Sequence, residues 1–322
     1  MTTDLNLSRM EIRPPRPSEW RMLCRMLAES FPVEGWLWPA MSQHDPEFSL
    51  YNWSPLCMFH KGQIIGNVSR LDISIWFEGE RLPIAGIASV ATVKRYRRMG
   101  VATTLLSSWL ERIDRDGLTS ALFYRIPKVF ERSGYRTVPQ GYVTIEPAGI
   151  RGAAHGLDAE QVRRLDETVI RRLDRIYARE YPNYNGKVLR DEGYWQFYKT
   201  YFNRDDNKRI LLCRCGLADM GYARIEDEAD RLLVSEFCCG PDDQPVIEAL
   251  LSFIYKAAQR HGVGQMSLAL PDEHFLWGVF KERGIATHPE IGMERVSFML
   301  RGPRGDPPGR LNQLRWCLAD KF

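Results

Sequence analysis

The run LPIAGIASVATV (82–93) leads into KRYRRMG (94–100), and that into VATTLLSSWLERIDRD (101–116). The first block is almost uncharged, as expected of a strand buried on both faces. The third places Leu105, Leu106, Trp109, Leu110 and Ile113 on one side of a helix that Gly117 ends. Between them lies a short basic loop. A helix N-terminus exposes unpaired N–H groups and a partial positive charge, so it favours an anion. Gly100 and Ala102 keep side chains short there, and Arg97 and Arg98 add cationic donors. These residues predict a diphosphate cradle. The loop is neither a dinucleotide Gly-rich fingerprint nor a Walker motif, since no Lys-Ser/Thr follows the glycine.

Working outward, 18–30 reads as a helix, 31–56 as irregular and Pro-rich, and 63–77 as a long strand before the turn at Glu78-Gly79-Glu80. After the central helix come a strand (119–124), a short helix (127–133) stopped by Gly134, and a strand read over 135–145. The second half repeats the order without evident identity. It reads as a helix over 158–180, a further helix at 195–202, strands at 209–215, 220–227 and 231–239, a helix at 245–260, a strand at 266–270 and a helix at 273–283. Strand, loop, long helix, strand and short helix therefore occur twice.

The strand followed by R-x-x-G-x-A (Arg97 to Ala102) and a helix resembles the acetyl-CoA loop of the GNAT acyltransferase superfamily. Phe130-Glu131-Arg132-Ser133-Gly134-Tyr135 resembles its short-helix motif, and 82–100 is similar to the tandem enhanced-intracellular-survival type. The resemblance implies an α+β chain of two tandem GNAT-like domains, each a mixed, mainly antiparallel twisted sheet flanked by helices. Residues 1–150 would be the acyl-CoA-binding domain, 151–302 a degenerate copy and 303–322 a C-terminal tail. It implies that Val90, Ala91 and Thr92 offer backbone groups to the pantetheine arm, and that Arg97, Arg98, Met99, Gly100, Val101, Ala102 and Thr103 hold the pyrophosphate. The implied activity is an N-acyltransferase, most simply an N-acetyltransferase, with acetyl-CoA as co-substrate, no metal, and a primary amine of a small molecule, peptide or lysine side chain as acceptor. The alternative is a catalytically weak CoA-binding regulatory protein.

Two departures motivate that alternative. The tyrosine that serves as acid in the superfamily is replaced by Phe130, and strand 87–93 carries no carboxylate. Tyr124, at a strand end, is either the acid or a structural aromatic; Tyr135 is expected in the core. His60 is either a base or a surface residue. In the enhanced-intracellular-survival type the C-terminal carboxylate acts as base, which makes the carboxylate of Phe322 a candidate. In the second half, Gly240-Pro241-Asp242-Asp243 stands where the basic loop would be. Its carboxylates repel a pyrophosphate and its prolines remove N–H donors, so one cofactor site per chain is expected. Glu236 is expected to be a paired structural charge.

Residues 29–50 interleave acidic and aromatic side chains and contain no Lys or Arg. Glu34, Trp36, Trp38 and Glu47 suit a cationic amine through charge pairing and cation–π contact; buried tryptophans capping a loop are the competing reading. With 44 basic and 41 acidic residues the net charge is +3, too balanced to favour nucleic acid. No apolar run approaches the ~20 residues of a membrane span, and the first sixteen residues lack the order of a secretory signal. Seven cysteines without repeated CxxC predict buried thiols, no zinc site and a cytoplasmic protein. A homo-oligomer is compatible with the sequence.

Overall fold

A computed structural model describes residues 7–32, 53–124, 127–138, 143–150, 156–180, 185–270, 274–289 and 297–305. In chain order the first half forms β1 (Glu11–Arg13), α1 (Trp20–Ser30), β2 (Trp53–His60), β3 (Gln63–Phe77), β4 (Glu80–Thr92), α2 (Val101–Arg115), β5 (Thr119–Tyr124), α3 (Pro127–Glu131), β6 (Arg136–Val138) and β7 (Val143–Ile145). The remainder adds β8 (Asp158–Val162), α4 (Glu167–Glu180), α5 (Glu192–Phe202), β9 (Lys208–Cys215), β10 (Ala218–Asp227), β11 (Arg231–Cys238), α6 (Gln244–His261), β12 (Gln265–Leu268), α7 (Leu276–Glu282), β13 (His288–Pro289) and β14 (Ser297–Arg301).

These strands build two sheets, ordered β1-β2-β3-β4-β5-β14-β6 and β13-β7-β12-β11-β10-β9-β8. Most pairs are antiparallel. Each sheet has one parallel pair, β4–β5 and β11–β12, joined through a long amphipathic helix, as a parallel connection requires. The duplication is therefore real, and each half is the mixed sheet flanked by helices that the sequence implies.

The sheets do not divide at residue 150. β7 leaves the first half and pairs with β12, Met266 opposite Ile145. β14 returns from the end of the chain and pairs with β5 and β6, Met299 opposite Leu122 and Thr137. Each half thus lends the sixth strand to the other's sheet. The strand read over 135–145 becomes two strands in different sheets, β6 and β7. Phe298, Met299 and Leu300 are fully buried, which is why β14 is a continuous apolar run.

α2 packs Leu105, Leu106, Trp109, Leu110 and Ile113 against Leu56, Ile65, Ile87, Leu122 and Met299 on one face of the first sheet. α6 does the same for the second. Between the halves, Leu71, Ile73 and Ile75 share one apolar cluster with Leu173, Tyr177, Trp195 and Tyr198 of α4 and α5 and Leu212 and Tyr222 of the second sheet. Trp76 N–H donates to the Lys187 carbonyl across this seam at 2.7 Å. Three other readings change. Trp53–His60 is a strand rather than irregular, 158–162 is a strand rather than the start of a helix, and Cys215 is exposed while Cys213, Cys238 and Cys239 are buried.

Candidate cofactor and active site

The parallel ladder between β4 and β5 runs from Ile84 opposite Thr119 to Ile87 opposite Leu122, yet β4 continues to Thr92. The cause is a bulge. Between Ser69↔Ala88 and Asn67↔Ala91, Val68 faces two residues, Ser89 and Val90, and Ser89 sits at φ 51°. A bulge bends the strand that carries it. Here buried side chains hold it. Asn67 Nδ2 donates to the Ser89 carbonyl at 2.8 Å and to Ser69 Oγ at 2.9 Å, and Trp109 Nε1 donates to the Val68 carbonyl at 2.9 Å. Ala88, Ser89 and Val90 are left half-buried along an open backbone edge.

Beyond β4 the chain makes a tight turn, Lys94–Tyr96, and then enters α2. Tyr96 is braced from the neighbouring strand: its hydroxyl lies 3.1 Å from His60 Nδ1, and the two rings meet edge-on at 5.7 Å. Arg97 Nε donates to the Thr92 carbonyl at 3.1 Å. Arg98 and Gly100 both take left-handed conformations, φ 63° and 83°. At Gly100 the positive φ favours glycine, and a Cβ there would also stand 3.1 Å from Leu7 Cδ1. The first helical hydrogen bond is Thr104 N to the Gly100 carbonyl, 2.9 Å. The N–H groups of Val101, Ala102 and Thr103 precede it and have no intrahelical acceptor. No carboxylate stands in this first turn, and Arg97 and Arg98 are exposed. Unpaired backbone N–H groups of this kind favour an anion, and they lie directly after the open edge of β4.

Residues 11–138 match the family model of the acetyltransferase (GNAT) domain. The first half of this chain is thus similar to a GNAT domain. Solved structures extend the likeness in fold across both halves. A conserved protein of Enterococcus faecalis V583, described as a probable N-acyltransferase, is 17% identical, with TM-score 0.70 over 91% of this chain and 73% of that one. Eis1 from Mycobacterium abscessus is 17% identical, with TM-score 0.63 over 95% and 76%. A tandem GNAT protein from the clavulanic acid biosynthesis pathway is 11% identical, with TM-score 0.51 over 93% and 99%. No curated protein matches the sequence.

In the first half Val90, Ala91, Thr92 and Arg97 through Thr103 follow one another along the strand, loop and helix, with the side chains of Ala91 and Val101 buried. Ala91 contributes backbone only, because its side chain is buried with Leu23 and Leu27 of α1. A cleft of about 410 Å³ continues from there between α2, through Thr103 and Ser107, and α3, through Val129 and Arg132. Phe130 turns away from it. It is buried and packs edge-on against Tyr135 at 6.2 Å. Tyr135 is fully buried with its hydroxyl 2.6 Å from Ser120 Oγ, and burial pushes its phenol far above the ordinary value. Neither ring can deliver a proton to a substrate. Tyr124 is the last residue of β5, its backbone opposite Ser297; its side chain lies outside the described residues. So do Glu34, Trp36, Trp38, Glu47 and Phe322.

The second GNAT-like half carries the same bulge, at Ser235 between Arg224↔Glu236 and Ile225↔Val234, but its opening is filled. His274 Nδ1 accepts from Leu276 N–H at 3.3 Å, so Nε2 carries the proton and donates to the Phe237 carbonyl at 3.0 Å. The ring stacks on Phe275 at 4.6 Å, and burial pushes the imidazole down to about 4. Asp243 caps α6 by accepting from Val246 N–H. Glu236 is fully buried between Arg190, 2.6 Å, and Arg224, 2.7 Å. Burial would raise its carboxyl, but the two guanidiniums hold it below the usual range. Glu236 is thus a paired structural charge.

Sequence reasoning missed Asn67, His60 as a brace, and His274. The adjacent Gly66 was the available signal for the first: a Cβ there would collide with Val101 Cγ1, and glycine inside a strand marks a close approach. Among the described residues no three His, Cys, Asp or Glu side chains gather as metal ligands, and no helix is long and apolar enough to cross a membrane.

Proposed function

We propose that this protein is an acyl-CoA-dependent N-acyltransferase, with acetyl-CoA as donor and a primary amine of a small molecule, peptide or lysine side chain as acceptor. The observation that carries the reading is the continuity of the open β4 edge with the left-handed turn at Arg98 and Gly100 and the unpaired N–H groups of α2. Those N–H groups receive a diphosphate, and Arg97 and Arg98 add charge-assisted donors. The backbone of Val90, Ala91 and Thr92 offers peptide groups to the amides of the pantetheine arm, and an N–H on this stretch polarises the carbonyl that is attacked. Bound acyl-CoA supplies the thioester. The chain supplies position, by holding donor and amine in one site.

The amine must lose a proton before or during attack. With no carboxylate on strand 87–93, we assign that task to the terminal carboxylate of Phe322 and protonation of the leaving thiolate to Tyr124 or water. To Glu34, Glu47, Trp36 and Trp38 we assign selection of a cationic amine, through charge pairing and cation–π contact. The second half binds no cofactor, and the free thiols fit a cytoplasmic protein.

A CoA-binding regulatory role is the second reading, favoured by the burial of Phe130 and Tyr135. Acetyl-CoA consumption across a panel of primary amines separates the two. Turnover on any amine supports the enzyme. CoA binding without turnover supports the regulator, and no CoA binding overturns both.

A further inference from the structure

Arg301, in the strand that the end of the chain lends to the first sheet, reaches both walls of the α2–α3 cleft. Its Nη1 and Nη2 pair with Asp114 Oδ1 and Oδ2 at 2.6 and 2.8 Å, and its Nε donates to the Ser133 carbonyl at 2.9 Å. Asp114 closes the α2 wall of the cleft, and Ser133 closes the α3 wall. The Arg304 backbone N–H adds a bond to Asp114 Oδ1 at 2.7 Å. The side chain of Arg301 is buried, and these bonds hold the Asp114 carboxyl below its ordinary value. Gly134 completes the fit: at φ 88° it lies so close that a Cβ would stand 3.4 Å from both Arg301 Nε and Gly305 Cα.

A guanidinium presents its donors in a rigid plane, so one side chain can tie two elements at fixed separation. We propose that Arg301 is a positioning residue for CoA binding, setting the spacing of α2 and α3 from a strand delivered by the other half of the chain. The second half, which has no cofactor loop, thereby acts on the cofactor site of the first. This inference rests on the proposed cofactor site.

The test is calorimetric titration of the full chain with CoA, alongside thermal melting, for wild type, Asp114→Asn, Arg301→Gln, Arg301→Lys and the Asp114→Asn/Arg301→Gln double variant. Each neutralising variant is expected to weaken CoA about tenfold at temperatures where it is folded, because a bidentate charged tie is lost. The double variant is expected to be no weaker than the worse single. Arg301→Lys keeps the charge pair but cannot also reach Ser133; it should recover most of the melting temperature without recovering the affinity. Equal CoA affinity in wild type and every folded variant, whatever the melting temperatures, overturns this inference alone. A wild type that binds no CoA overturns the cofactor site and this inference with it.

Discussion

Asn67 Nδ2 donates to the carbonyl oxygen of Ser89 at 2.8 Å from inside the core. That one amide satisfies the carbonyl at the β4 bulge, beyond which β4 no longer pairs with β5. Replacing it removes the partner of a half-buried carbonyl and the bond to Ser69 Oγ inside the core. Asn67→Ala is expected to lower unfolding free energy by about 1–3 kcal/mol in urea titration and to weaken CoA. Unchanged values for both would remove Asn67 from the site's support.

The exchanged strands make the halves interdependent. Residues 1–150 alone lack β14, whose Phe298, Met299 and Leu300 are fully buried and contribute ~1.5–3 kcal/mol each. That fragment is expected to lack a cooperative unfolding transition by circular dichroism, and the chain cut after 296 to melt far lower than the whole. A fragment 1–150 that folds and binds CoA would contradict the topology.

His274 gives a signed pH dependence. It is held neutral in the folded protein with its pKa near 4, against ~6.5 when unfolded. The unfolded chain therefore takes up the proton first as pH falls. The stabilisation is complete above ~6.5 and is lost between there and ~4, amounting to about 3 kcal/mol. His274→Gln keeps a donor for Phe237 and an acceptor for Leu276 but does not titrate. Its unfolding free energy should fall less steeply between pH 7 and 4 than that of wild type; parallel curves would contradict the assignment.

The terminal carboxylate is tested by truncation. Removing Phe322 shifts that charge by up to ~3.5 Å of chain, and kcat is expected to fall at least tenfold with CoA affinity intact. Full activity after deletion of the last five residues would exclude it as base.

The strand, turn and helix from β4 to α2 were legible in the sequence because every part of that unit is local. The α2 stripe has helical period, Gly100 marks the turn, and the basic residues are consecutive. What escaped was non-local. Nothing in SFMLR (297–301) tells which sheet it joins. Pro55 disguised β2, yet β1 pairs only with Cys57 to Phe59, so the proline lies beyond the stretch where that neighbour needs its N–H. DAEQV (158–162) has helix-forming residues, but pairing with β9 overrides them, and Asp166 caps α4 only later, accepting from Thr168 and Val169 N–H. Asn67 carries no local signal of its role, because the carbonyl it holds, that of Ser89, lies on another strand.

The most direct measurement is calorimetric titration of the full chain with CoA, wild type beside Gly100→Asp. The substitution puts a carboxylate and a strained backbone where the α2 N–H groups meet the diphosphate. The expected result is one CoA per wild-type chain and no binding by a folded Gly100→Asp variant. Two CoA per chain, or equal affinity in both proteins, would contradict it.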